Sequence, residues 1–163
     1  FEIVPGVTSL AAAAAALGRE LTVPGVAQSV VLTRLAGRTA ASMPAGESVA
    51  AFAAHGATMA VFLSAARPVE LAGELLAAGS GYTADTPAAI VVRASWPDEQ
   101  VVATTVGRLA DELAALGART TVLVLVGPAL AGAGDRRSHL YSPGFAHMFR
   151  RRSAPGATAG RPA

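Results

Sequence analysis

Three short runs, TMAVFL at residues 58–63, AAIVVR at 88–93 and TVLVLV at 121–126, are almost continuously apolar, and they constrain the fold most. A strand with one wet face alternates apolar and polar residues. A continuous apolar run of about 4–8 residues, bounded by turn signals, reads as a strand buried on both faces. Such strands need a covering layer on each side. The segments between them supply helices. In residues 68–78, Pro68 suits a first helical turn, and Val69, Leu71, Leu75 and Leu76 form an apolar stripe. In residues 106–116, Leu109, Leu113 and Leu116 form another, closed by Gly117. Residues 48–55 read as a shorter helix, and residues 28–34 (QSVVLTR) and 100–105 as two more strands. Residues 35–45, 79–86 and 94–99 read as loops or turns. Strands alternating with helices define the α/β class, with a largely parallel or mixed sheet.

The chain opens Phe1-Glu2-Ile3-Val4-Pro5-Gly6. Residues 1–4 read as the end of a strand, Pro5-Gly6 as a turn, and Thr8 or Ser9 as the cap of a helix over residues 10–17 that Gly18 closes. A chain starting inside a strand implies a sheet built from residues upstream, so a fragment or a late start is expected. The six alanines at 11–16 lack the preceding basic region of a signal peptide.

Composition removes several mechanisms. The chain has 163 residues, the length of one domain, and no cysteine. It therefore has no disulfide framework and no thiolate, which fits a reducing cytoplasm. All 13 basic residues are arginine, so lysine chemistry is excluded. Alanine accounts for 39 positions, and charged residues for 15%. Low charge and a full set of larger apolar residues exclude disorder over the whole chain. No apolar run reaches the roughly 18 residues of a membrane span. His55, His139 and His147 are far apart without ligand spacing, so no metal is expected. Residues 1–113 hold six Arg against ten acids; residues 114–163 hold seven Arg against Asp135 alone. This basic end has no interleaved basic and aromatic pattern, so no nucleic-acid partner is expected. The tail from Arg150 reads as disordered.

Three segments are more specific. They are Val4-Pro5-Gly6-Val7-Thr8-Ser9, Arg93-Ala94-Ser95-Trp96-Pro97-Asp98-Glu99, and Arg137-Ser138-His139-Leu140-Tyr141 with the Pro143, Phe145 and residues 147–150 that follow. The second carries the only Trp, just after a buried strand, and open α/β sheets bind ligands beyond the carboxyl ends of their strands. In this order, the segments VPGVTSLAAAAAALGREL, QSVVLTR, HGATMAVFLSA, DTPAAIVVRASWPDEQ and RRSHLYSPGFAHMFR resemble the tetrapyrrole (corrin/porphyrin) methylases, in the branch of the precorrin-4 and cobalt-precorrin-4 C(11)-methyltransferases. The likeness runs from Phe1 to Arg150.

That resemblance implies a methyltransferase of cobalamin synthesis. It would move a methyl group from S-adenosylmethionine to a ring carbon of a tetrapyrrole, in the cytoplasm, as a homodimer and with no membrane partner. It implies the tetrapyrrole methylase fold, with residues 1–27 as the last strand and helix of a donor-binding domain, 28–140 as a C-terminal α/β domain, and 141–163 as a basic end. It implies donor contacts at Thr8, Ser9, Leu63 and Ala94, and further at the Gly127-Pro128-Ala129 turn. Arg34 and Arg93 are the candidates for the substrate's carboxylates, with Arg38 and Arg137 beside them, because guanidinium matches carboxylate as a planar fork. No catalytic acid, base or nucleophile is expected: a sulfonium methyl is already activated, and its transfer needs alignment. The family's glycine-rich loop and glycine–aspartate loop have no counterpart here. Weak donor binding by this chain alone is therefore expected, and a non-catalytic domain with a folding or dimerisation role is the alternative.

Overall fold

The computed structural model describes residues 1–37, 40–44, 46–132 and 148. The segment around Arg137 to Tyr141, the tail from Arg150, and Arg38, His139 and His147 lie outside the described residues. The elements follow the order α1 (Ser9–Leu17), β1 (Val30–Arg34), α2 (Val49–Ala53), β2 (Thr58–Phe62), α3 (Pro68–Leu75), β3 (Pro87–Val92), β4 (Gln100–Thr105), α4 (Leu109–Leu116) and β5 (Val122–Val126). Short 3₁₀ turns occupy Ala40–Ser42, Val106–Arg108 and Pro128–Ala131.

The five strands form one sheet in the order β1-β2-β5-β3-β4. Only β1 and β2 pair in parallel; β5 runs antiparallel between β2 and β3, and β4 pairs antiparallel with β3. The sheet is thus the mixed one of the two expected kinds. The carboxyl ends of β1, β2 and β3 and the amino ends of β4 and β5 share one edge.

Period-2 geometry divides the side chains between two faces. Met59, Val61, Ile90, Val92, Val124 and Val126 meet Val49, Leu71, Leu75, Leu109 and Leu113 of α2, α3 and α4 in the main core. Each buried leucine there contributes about 1.5–3 kcal/mol from removal of apolar surface from water. The other face carries α1. Its fully buried Ala13 packs with Ala60, Ala89, Val91, Leu123 and Leu125. Small side chains meet at this contact, Ala13 from the helix and Ala60 and Ala89 from the sheet, while Ala11, Ala15 and Ala16 of the run are exposed.

The caps of α1 are as the sequence predicts. The Thr8 hydroxyl accepts a bond from the Ala11 amide at 3.3 Å. Gly18 turns left-handed at φ +60°, and the Arg19 amide donates back to the Ala14 carbonyl at 3.1 Å. Residues 1–4 differ from expectation: they form no strand, and Phe1, Ile3 and Val4 are exposed. A strand exists only with a partner for its backbone groups, and no described strand lies beside them.

Tyr82 ties the loop before β3 to the segment before β2. Its hydroxyl donates to the Ala57 carbonyl at 2.5 Å. Burial pushes its pKa up from 10.0 to about 12. The neutral phenol is favoured in the folded state, so its contribution is complete below pH 10 and is lost as pH rises toward 12. Stability should fall over that interval by up to about 1.4 kcal/mol per pH unit. With no Lys or Cys to titrate there, the one other phenol is Tyr141, and the Tyr82→Phe comparison isolates Tyr82 from it. Denaturant melts of wild type and Tyr82→Phe at several alkaline pH values should differ in slope, the variant losing the decline.

Candidate functional site

A cavity of about 340 Å³ opens at the shared edge, where β2 and β3 end and β5 begins. Four loops build it. The amino end of α1 brings Ser9; the exit of β2 brings Leu63, Ser64 and Ala65; the exit of β3 brings Ala94 and Trp96; the entry to β5 brings Arg119, Thr120 and Thr121. Phe62, Val91 and Leu123 form its apolar floor. A mostly apolar cleft with a few convergent polar groups is the usual form of a small-molecule site, and the volume lies at the small end of that class.

Backbone strain singles out the same edge. Leu63, Arg93, Ser95 and Thr121 have φ values of +54°, +50°, +69° and +56°, and among the described residues no other non-glycine has a positive φ. All four lie at the loops that build the cavity. Left-handed backbone costs an ordinary residue about 1–2 kcal/mol, and such residues concentrate at functional sites. The tertiary structure holds them. The Arg93 amide donates to the Thr121 carbonyl at 2.8 Å, joining two of the strained turns. The Ser95 amide donates to Glu99 Oε2 at 2.6 Å, and the Arg93 guanidinium pairs with Asp98. The turn over residues 93–99 is therefore closed by its own two carboxylates.

Leu63 is left-handed and 74% exposed, and it lines the cavity. Leu63→Gly should raise stability by about 1 kcal/mol, because glycine adopts this conformation without strain. The same change removes a wall of the cavity. A higher thermal midpoint by circular dichroism, with weaker ligand binding, is the expected pair of results; a lower midpoint would show that the conformation is not strained.

The predicted donor residues fall unevenly. Ser9, Leu63 and Ala94, drawn from three distant stretches of sequence, line this one cavity. Thr8 does not line it; its hydroxyl is engaged by the helix cap. The Gly127-Pro128-Ala129 turn lies at the opposite edge, beside Thr58 at the start of β2. Arg34 lines a neighbouring cavity of about 370 Å³ that shares Phe62 and Leu63 with the first. Arg93 lines neither. Arg119 and Thr120 were not anticipated. Both stand at the amino end of a strand, and only an antiparallel β5 brings that end to the ligand edge.

Residues 1–110 match the family of Tetrapyrrole (Corrin/Porphyrin) Methylases, and the chain belongs to that family. It is similar to the precorrin-4 C(11)-methyltransferase of Sinorhizobium sp, 48% identical over 152 residues, covering 93% of this chain and 58% of that protein. The cobalt-precorrin-4 C(11)-methyltransferase of Priestia megaterium is 44% identical over 153 residues, covering 92% and 58%. The X-ray structure of a cobalt precorrin-4 methyltransferase superposes with a TM-score of 0.73 at 45% identity, over 79% of this chain and 52% of that one. A uroporphyrin-III C-methyltransferase from Thermus thermophilus, solved with S-adenosylhomocysteine, superposes with a TM-score of 0.57 at 27% identity, over 80% and 53%. The chain thus spans a little over half the length of the relatives it matches.

Proposed function

We propose that this chain carries part of the donor site of an S-adenosylmethionine-dependent methyltransferase acting on a ring carbon of precorrin-4 or its cobalt form, in cobalamin synthesis. One observation supports this above others: Ser9, Leu63 and Ala94, singled out by resemblance alone, line one cavity at a strained sheet edge. The residues suit such a donor. Leu63 and Phe62 offer apolar walls for a nucleoside, Ala94 lets a ligand approach the backbone, and Ser9 and Thr120 offer hydroxyls. When bound, the donor supplies a sulfonium methyl group. The chain's own task is to orient it and exclude water, and no described group need move a proton.

The neighbouring cavity with Arg34 is our candidate for a carboxylate of the macrocycle, with Arg93, at the end of β3 and paired with Asp98, as a more distant one. We keep the division into residues 1–27, 28–140 and 141–163 as the proposed organisation, with a homodimer acting in the cytoplasm. Among the described residues no helix is long and apolar enough to cross a membrane.

The test is a titration of the chain with S-adenosylhomocysteine, followed by amide shifts. Changes centred on Ser9, Leu63 and Ala94 are expected, with saturation only at high ligand concentration. Changes confined to the opposite edge, or none, would overturn the reading; an intact fold without binding would favour a non-catalytic domain.

A further inference from the structure

We propose that Arg119 is the anion anchor of the cavity and takes a carboxylate of the bound ligand. The inference rests on reading the cavity as the donor and tetrapyrrole site, and it adds a residue and a chemistry that the reading lacks. Arg119 lies on the wall of the cavity, as does Trp96. Arg67, Arg93 and Arg108 each pair with a nearby carboxylate, Glu70, Asp98 and Glu112. Among the described residues Arg119 has no ion pair and no side-chain hydrogen bond. No acid lines the cavity. The two acids of the adjoining turn, Asp98 and Glu99, are held by Arg93 and by the Ser95 amide. Among the described residues the cavity is thus an apolar cleft with one guanidinium that has no partner, and the Thr120 and Thr121 residues beside it.

A guanidinium carries five donors in a planar fork, and a carboxylate satisfies two of them at once. Arg119 is exposed, so a carboxylate can reach it from solvent. Two ligands of the proposed reaction bring a carboxylate: the amino-acid end of the methyl donor, and the acid side chains of the macrocycle. Their shared chemistry is what Arg119 recognises, and the experiment separates them.

Wild type, Arg119→Gln and Arg119→Lys are titrated with S-adenosylhomocysteine, with 5′-methylthioadenosine, which lacks the amino-acid carboxylate, and with the polycarboxylate uroporphyrin III. Trp96, the only Trp, reports the two nucleosides by fluorescence, and porphyrin absorption reports the third. Arg119→Gln should weaken at least one carboxylate ligand about tenfold or more, with Arg119→Lys between. Methylthioadenosine affinity should hold within about twofold, and added salt should narrow the difference. Loss confined to S-adenosylhomocysteine assigns the anchor to the donor; loss confined to uroporphyrin assigns it to the macrocycle. Unchanged affinity for both carboxylate ligands, or an equal loss for methylthioadenosine, would overturn the proposal. Failure of wild type to bind any of the three is a different result, because it removes the reading of the cavity and the anchor with it.

Discussion

Ala94→Leu should cost the chain about tenfold or more in affinity for S-adenosylhomocysteine while the thermal midpoint stays within a few degrees of wild type. Ala94 is half-buried on the cavity wall, between Arg93 and Ser95, both left-handed. Its backbone is held on one side by the Arg93 bond to Thr121 and on the other by the Ser95 bond to Glu99. A larger side chain cannot escape by rotating the turn, so it must project where the methyl does. Open space accepts it cheaply, and a ligand does not. The competing outcome follows from a second contact: Ala94 also packs against the cluster of Ala13 and Leu123. If that contact governs, the larger residue overpacks the interior, costs about 1–3 kcal/mol and leaves affinity unchanged. Measuring midpoint and affinity on one sample separates the two.

Gly127→Ala should be strongly damaging for a single methyl group, because a strained conformation and a backbone collision coincide there. Gly127 has φ +144° and ψ 159°, a region that is essentially reserved for glycine. A Cβ there would lie 2.9 Å from the Ala57 carbonyl oxygen and 2.9 Å from Thr58 Cα, both backbone atoms. Neither can move without disturbing β2, and the Gly127 amide is bonded to the Pro87 carbonyl at 3.0 Å. Conformation and collision add, and a loss of about 3–4 kcal/mol is expected, near the upper end of point-mutation effects. Gly18→Ala is the control. Gly18 is also left-handed, at φ +60°, but nothing lies within 4 Å of its absent Cβ. It should lose only about 1 kcal/mol. Similar losses for both in urea melts would refute the account of the Gly127 contact.

Much of the fold was legible because burial writes itself into strands. The continuous runs at β2, β3 and β5 are flanked by Gly or Pro or by a turn, and each is a central or near-central strand. Caps were legible for a similar reason, since Thr8, Gly18 and Gly117 each sit where an unpaired backbone group needs a partner or a left-handed turn; Ser48, read as the first residue of its helix, is instead its cap. Strand direction was not legible. An apolar run reads the same whether it pairs parallel or antiparallel, and β5 shows what depends on it. Were β5 parallel to β2, the Gly127-Pro128-Ala129 turn would stand at the ligand edge and Arg119 at the other. Its antiparallel course exchanges them. Of the two neighbours Thr8 and Ser9, only Ser9 lines the cavity, while the Thr8 hydroxyl caps the helix. Residues 1–4 look like a strand by composition, but pairing is a property of neighbours.

The placement of β5 also bears on how the chain acquires its structure during synthesis. Among the described residues it is the last strand in sequence, yet it occupies the middle of the sheet. Before residues 122–126 emerge from the ribosome, β1 and β2 can pair with each other and β3 with β4, but no described strand joins the two pairs. Each half then presents an unpaired, strongly apolar edge, β2 on one and β3 on the other. Open edges of this kind invite pairing with other chains. Closure also waits on contacts distant in sequence, which slows it. A nascent chain halted before Val122 should therefore need chaperone cover, and the arrival of five residues should end that need in a single step.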